Sequence, residues 1–175
     1  AGEDPAPELA LTAEQIYRLR ERMVELRSRL PLLIVDAYWD AEGRAMCPAA
    51  VGISHHIGPA GAIEPCPPIQ FAAETVTETD DPAGAMRNSG FLAGFREFAA
   101  RTTRGCILMD HPQELRQFLI SNAARDTSGR DSALEELARR RPLPDHDMQE
   151  NPVPERHWLY RAAKRHWFFG FGAYG

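Results

Sequence analysis

The sequence predicts a mixed α/β (α+β) domain, on three observations. An early apolar stripe has helical spacing, a short β-branched run follows it directly, and a Pro-Gly turn lies between two apolar arms. The period of the apolar residues separates helix from strand in each case.

In 11–30, "LTAEQIYRLRERMVELRSRL", Ile16, Leu19, Met23, Leu26 and Leu30 recur three or four residues apart and share one helix face. Thr12 and Gln15 have the spacing of a capping box, and Pro31 stops the helix. The run 32–40, "LLIVDAYWD", is expected to be a buried strand, so an α/β unit opens the chain. "AVGISHHI" and "AIEPCP" flank "GPAG" as the arms of a hairpin whose turn needs Gly61. The acidic stretch 70–84 is expected to begin with a helical turn and end in a loop. Ser89 caps a helix that buries Phe91, Leu92, Phe95 and Phe98. "RGCILMD" is a short apolar piece, and Pro112 opens a helix with Leu115, Phe118 and Leu119 inward. "DTSGRD" reads as a loop. Ser132 and Glu135 have capping-box spacing at the start of a shorter helix. The Pro-rich stretch 141–155 reads as an extended surface linker, and the last twenty residues as a helix with a Gly-aromatic tail.

The 175 residues, 43% of them hydrophobic, suffice for one domain with a core and a small second lobe. A net charge of -5 argues against non-specific nucleic-acid binding, which draws on positive charge to release counterions. "ARRRP" at 138–142 reads as a cationic helix end. No apolar run reaches the roughly 20 residues that span a bilayer, and no secretory segment is present. An alanine start fits a processed or truncated piece of something longer, or simply the ordered part of it. The odd number of cysteines, three, fits a closed disulfide framework poorly, so a reducing, cytoplasmic setting is expected.

Thirteen residues separate Cys47 from Gly61, and four separate Gly61 from Cys66. A hairpin of that spacing returns both cysteines to its base. Two thiolates there, with Cys106 from a distant loop after Gly105, are a ligand set for an iron–sulfur cluster. A cubane needs a fourth ligand, for which His55, His56, a substrate group or a partner's residue are the candidates. Zinc held by the three cysteines and one histidine competes with this reading, although both histidines lie nearer the turn than the sulfurs. So does plain burial of the cysteines as small hydrophobes, Cys106 above all.

Cys-x13-Gly-x4-Cys with a later cysteine, and the phrase "GISHHIGPAGAIEPCPPIQFA", resemble the twitch subdomain of radical SAM enzymes, the shorter relative of the SPASM domain. The opening helix and strand resemble the late barrel segment that precedes it. The resemblance implies an auxiliary [4Fe-4S] cluster as cofactor, with Cys47, Cys66 and Cys106 as its metal ligands. It divides the chain into a helix–strand unit (1–45), a twitch-like hairpin with helices (46–125) and a C-terminal helical extension (126–175). The chain departs from the family in lacking the Cys-x3-Cys-x2-Cys motif. The resemblance therefore places S-adenosylmethionine in an upstream barrel domain. A second reading is a non-catalytic accessory subunit that docks on a larger complex.

Asp110 and His111 are candidates for an acid–base pair or for a helix cap, and Asp145, His146 and Asp147 for a metal-like cluster or a solvated linker. Trp158, Tyr160, Trp167, Phe168, Phe169, Phe171 and Tyr174 crowd the end of the chain, with arginines and a lysine among them. That tail suits packing within the domain, a large partner or peripheral membrane contact. No P-loop, dinucleotide or nucleophile-elbow pattern occurs.

Overall fold

A computed structural model describes residues 7–36, 38–148 and 151–168. The architecture is mixed α+β. After a 3-10 turn come α1 (Ala13–Arg29), β1 (His56–Ile57), β2 (Ile63–Glu64), β3 (Phe71–Ala72), α2 (Pro82–Arg87), α3 (Gly90–Thr102), α4 (Ile107–Asp110), α5 (Pro112–Ser121), β4 (Arg125–Asp126), α6 (Ala133–Arg139) and α7 (Trp158–Ala163). α7 runs on into a π-helical turn, Lys164–Phe168. The strands make two small antiparallel sheets: β1 with β2, pairing His56 with Glu64, and β3 with β4, pairing Phe71 with Asp126. No helix among the described residues is long and apolar enough to cross a membrane.

The core gathers on α3 and α5. Phe91, Leu92, Phe95 and Ala99 of α3 cluster with Leu115 and Leu119 of α5, Ile63 and Phe71 from the sheets, Ile69 from the turn between β2 and β3, and Leu137 of α6. Phe118 is half-buried and stacks on Phe98 with ring centroids 4.6 Å apart. Gln113 donates from Nε2 to the carbonyls of Leu137, Ala138 and Arg140, so α5 closes the open end of α6. Ser89 caps α3 by accepting the Leu92 N–H at 3.0 Å.

α1 forms as its sequence directs, with both arms of the Thr12–Gln15 capping box in place. Its buried face is not the expected stripe. Ile16, Arg20, Val24 and Arg27 are buried, whereas Leu19 and Leu30 are exposed. The two arginines go inside because partners wait there. Arg20 and Arg27 both reach Asp36 and Glu155, and Lys164 reaches the same two carboxylates at 3.0 Å each. Arg20 also donates to the Val153 carbonyl and lies over the Trp39 ring, and Arg27 lies over Tyr160. This buried set of charges fastens α1 to the end of the chain.

The run after α1 is extended but joins no sheet. Leu32, Leu33 and Val35 are 62%, 77% and 56% exposed, contrary to the expected buried strand. Ile34 donates its N–H to Tyr160 Oη and its carbonyl accepts from Arg27 Nε, both at 2.9 Å. Leu33 and Val35, on either side of Ile34, make no hydrogen bond among the described residues. Two smaller expectations also change. The helical turn after Gln70 is β3 instead, and "DTSGRD" begins inside β4, its partner. Ser132 makes no capping bond; its hydroxyl donates to Glu136 at 2.7 Å. The aromatics Phe169, Phe171 and Tyr174 lie outside the described residues.

Candidate functional site

Each cysteine starts a tight backbone turn. The Cys47 carbonyl accepts from the Val51 N–H at 3.1 Å, that of Cys66 from Ile69 at 3.0 Å, and that of Cys106 from Met109 at 2.7 Å and Asp110 at 3.0 Å. Prolines follow Cys47 and Cys66 directly and set the backbone angle of each turn's second residue. The hairpin pairs His56 with Glu64 and Ile57 with Ile63, and Cys66 follows its second arm. Gly61 holds the turn at φ +78°, donating to the Gly58 carbonyl at 2.8 Å. Cys106 stands at the start of α4, after α3 has returned the chain across the core.

All three thiols titrate above the ordinary cysteine range. Burial pushes the Cys66 thiol up to about 12, and charge on Cys106 or Cys47 pushes it further the same way. Burial raises Cys106 to about 11, with Cys47 again adding to the shift. Cys47 is raised chiefly by burial, with Asp110 and Asp145 adding to it. Backbone amides pull in the opposite direction: those of Ala49 and Ala50 on Cys47, Ile69 on Cys66, and Leu108 and Met109 on Cys106. Cys106 makes no full capping bond, yet those two amides still favour its thiolate. All three cysteines are free and half-buried.

The stretch expected to be a solvated linker instead closes one side of the site. Leu143 donates its N–H to the Met109 carbonyl at 2.8 Å, and Trp39 Nε1 donates to the His146 carbonyl at 2.9 Å. The side chains of Asp145 and His146 are only 5% and 12% exposed. Asp145 accepts the Cys106 N–H through Oδ2 and the Asp147 N–H through Oδ1. Gly105 is what permits this, since a Cβ there would strike the Asp145 carboxylate. Asp110 does not cap α5. Its Oδ2 accepts from the Thr103 hydroxyl, and its Oδ1 is buried without a partner among the described residues. Burial raises the Asp110 pKa, and Asp145 adds to the shift. A cavity of about 460 Å³ opens beside these two carboxylates, with Arg101, Thr103, Arg104 and His111 also in its walls.

The histidines are committed elsewhere. His56 Nδ1 lies 2.6 Å from Oε2 of the fully buried Glu64, whose Oε1 accepts from Thr127 at 2.5 Å. His55 Nε2 faces Arg96 at 3.1 Å, and burial together with that guanidinium lowers its pKa. Among the described residues, no three His, Cys, Asp or Glu side chains are placed to hold a metal ion as they stand. Sequence reasoning named the three cysteines and Gly105 but gave Asp110 and Asp145 other roles. The readable signal for Asp110 is its position four residues after Cys106, one helical turn on.

Comparison of the chain with protein-family models, with curated proteins and with solved structures found no match.

Proposed function

We propose that this chain is the auxiliary [4Fe-4S]-binding region of a radical SAM enzyme, with Cys47, Cys66 and Cys106 as thiolate ligands. One observation carries the reading. Three cysteines from three separate segments lead three tight turns, and their sulfurs lie near enough for charge on one to oppose ionisation of another. Burial and mutual repulsion keep these thiols protonated, and the positive charge of a metal centre would stabilise their thiolates and release the protons on binding. The amides of the turns would then donate toward the bound sulfurs, which is how proteins tune such centres.

Bound there, a cluster supplies one-electron transfer or an anchoring point for substrate. The chain's own residues do the rest: Asp145 and the segment around it cover the sulfurs, and the adjoining cavity admits small molecules. The exposed edge at Leu33 and Val35 supports a sheet supplied by an upstream barrel domain, where S-adenosylmethionine would bind. Three free thiols favour a cytoplasmic setting.

Anaerobic reconstitution with ferrous iron and sulfide tests the proposal. The chain should turn brown with broad charge-transfer absorption, and Cys47→Ala, Cys66→Ala and Cys106→Ala should each lose most of it. A wild-type chain that stays colourless and iron-free sinks the reading.

A second reading is an accessory subunit that docks on a larger complex. Its support is the exposure of Trp158 (73%) and Leu159 (50%) on α7, whose Tyr160 hydroxyl touches the exposed extended run. A metal-free chain in a stoichiometric complex would favour it.

A further inference from the structure

We infer that the cavity at the end of α3 binds a small phosphate monoester, held by Arg101, Arg104 and His111. The inference stands apart from the cluster reading, since it uses no thiol and no metal.

The cavity encloses about 460 Å³, the size of a site for a small organic molecule. Its walls carry charge of both signs, so the groups still free to bond decide what enters. Two of the carboxylates are spent. Asp145 accepts the Cys106 N–H through Oδ2 and the Asp147 N–H through Oδ1, and its side chain is nearly buried. Asp110 accepts from the Thr103 hydroxyl through Oδ2, and its Oδ1 is buried. The wall's hydroxyl protons are spent as well, that of Thr103 on Asp110 and that of Thr102 on the Phe98 carbonyl.

The basic groups are open. Arg101, in the last turn of α3, is exposed and makes no hydrogen bond or ion pair among the described residues. Arg104 is half-exposed and gives one donor to Asp40 at 3.3 Å. His111 has a 3.4 Å contact from Nδ1 to Glu114, and its Nε2 meets no partner among the described residues. His111 is also the N-cap residue of α5, yet it makes no side-chain capping bond, so the first-turn amides of that helix lack this partner. Two guanidinium forks and an imidazole around one space suit a doubly charged phosphate head better than a single carboxylate. Ala13, Ala100, Leu143 and Pro144 form apolar parts of the wall, which suits a ligand with a compact body beside its phosphate. Asp147 lines the same cavity and opposes an anion, which gives the inference a sign to test.

Calorimetric titration of the metal-free full chain, at fixed pH and ionic strength, tests this with phenyl phosphate, inorganic phosphate and acetate. Amide chemical shifts place the site. Phenyl phosphate should bind most tightly and acetate least, with shifts gathered at 101–104 and 110–111. Arg101→Gln should weaken phenyl phosphate binding about tenfold, the usual worth of a charge-assisted hydrogen bond, and leave the melting temperature close to wild type. Asp147→Asn should strengthen binding. Arg139→Gln alters an exposed arginine on α6, outside the cavity wall, and should change nothing. A wild-type chain that binds neither phosphate, acetate binding as tight as phosphate, or an equal loss in Arg139→Gln would each overturn the inference. So would weaker binding in an Asp147→Asn protein of unchanged melting temperature, which would mark a site for a cation or zwitterion. Because no iron is present in these titrations, a chain that never takes up a cluster leaves their outcome untouched.

Discussion

At Cys66 a thiol meets two kinds of force. Burial and its two neighbouring sulfurs push its pKa up to about 12, and the Ile69 amide offsets only part of this. An unfolded cysteine titrates near about 8.5. Between those values the folded state holds a proton that the unfolded state has lost, so the metal-free protein loses stability as pH rises above about 8.5. Its melting temperature should fall from pH 9 to pH 11, and Cys66→Ser should flatten that fall. An unchanged slope would mean that folding does not hold the proton on Cys66. Iron loading should likewise improve as pH rises toward 8, because the ligands must shed protons first. Gly61 is a second residue where one atom matters. At φ +78° an L side chain is strained, and a Cβ would crowd the Thr77 methyl at 2.5 Å. Gly61→Ala should cost about 1–2 kcal/mol in chemical denaturation. It should also weaken iron retention by loosening the return of Cys66 toward Cys47.

At the scale of elements, α1 depends on a buried set of three cations, Arg20, Arg27 and Lys164, and two anions, Asp36 and Glu155. Two of these groups titrate away from their ordinary values. Burial favours neutral Asp36, but Lys164 and Arg27 outweigh it and hold its carboxyl below the ordinary range. Burial, with Arg20 beside it, lowers Lys164 despite Asp36 and Glu155. The stabilisation from Asp36 is therefore in place above about pH 4 and is lost as pH falls through its lowered value. Glu155→Ala removes an anion shared by all three cations and should destabilise the fold by about 3–5 kcal/mol in urea titration. A loss under 1 kcal/mol would show that α1 is held chiefly by its apolar contacts. Local signals in the sequence marked α1, α3 and α5 well, because caps, prolines and apolar spacing act within one turn. The arginine-lined face of α1 was not legible: its partner Glu155 lies 135 residues from Arg20, and no local period reports it. The hairpin and Gly61 were readable from turn chemistry. The covering role of Asp145 was not, since prolines and acidic residues ordinarily mark solvated linkers.

For the whole molecule, the unresolved balance lies between the core and the exposed run at 32–35. The core on α3, α5 and α6 is closed by its own side chains, whereas Leu32, Leu33 and Val35 face outward from a backbone anchored, among the described residues, at Leu32 and Ile34. In an extended chain, successive peptide groups point to opposite sides. Tyr160 and Arg27 satisfy one side, and among the described residues the peptide groups of Leu33 and Val35 have no partner, which leaves a sheet edge with apolar side chains beside it. Edges of that kind recruit another strand, from a partner sheet or from a second copy of the chain. Placing charge there should block recruitment without touching the core or the thiols, because these side chains are 77% and 56% exposed. In sedimentation velocity the wild-type chain should associate as its concentration rises, and the double variant Leu33→Lys, Val35→Lys should stay monomeric. The variant should melt within about 0.5 kcal/mol of wild type, the usual range for surface substitutions, and take up the same iron. Equal association of the two proteins would remove the exposed run from any role in docking. A variant that no longer loads iron would instead tie this edge to the thiol site through α1, whose Arg27 holds the Ile34 carbonyl in place.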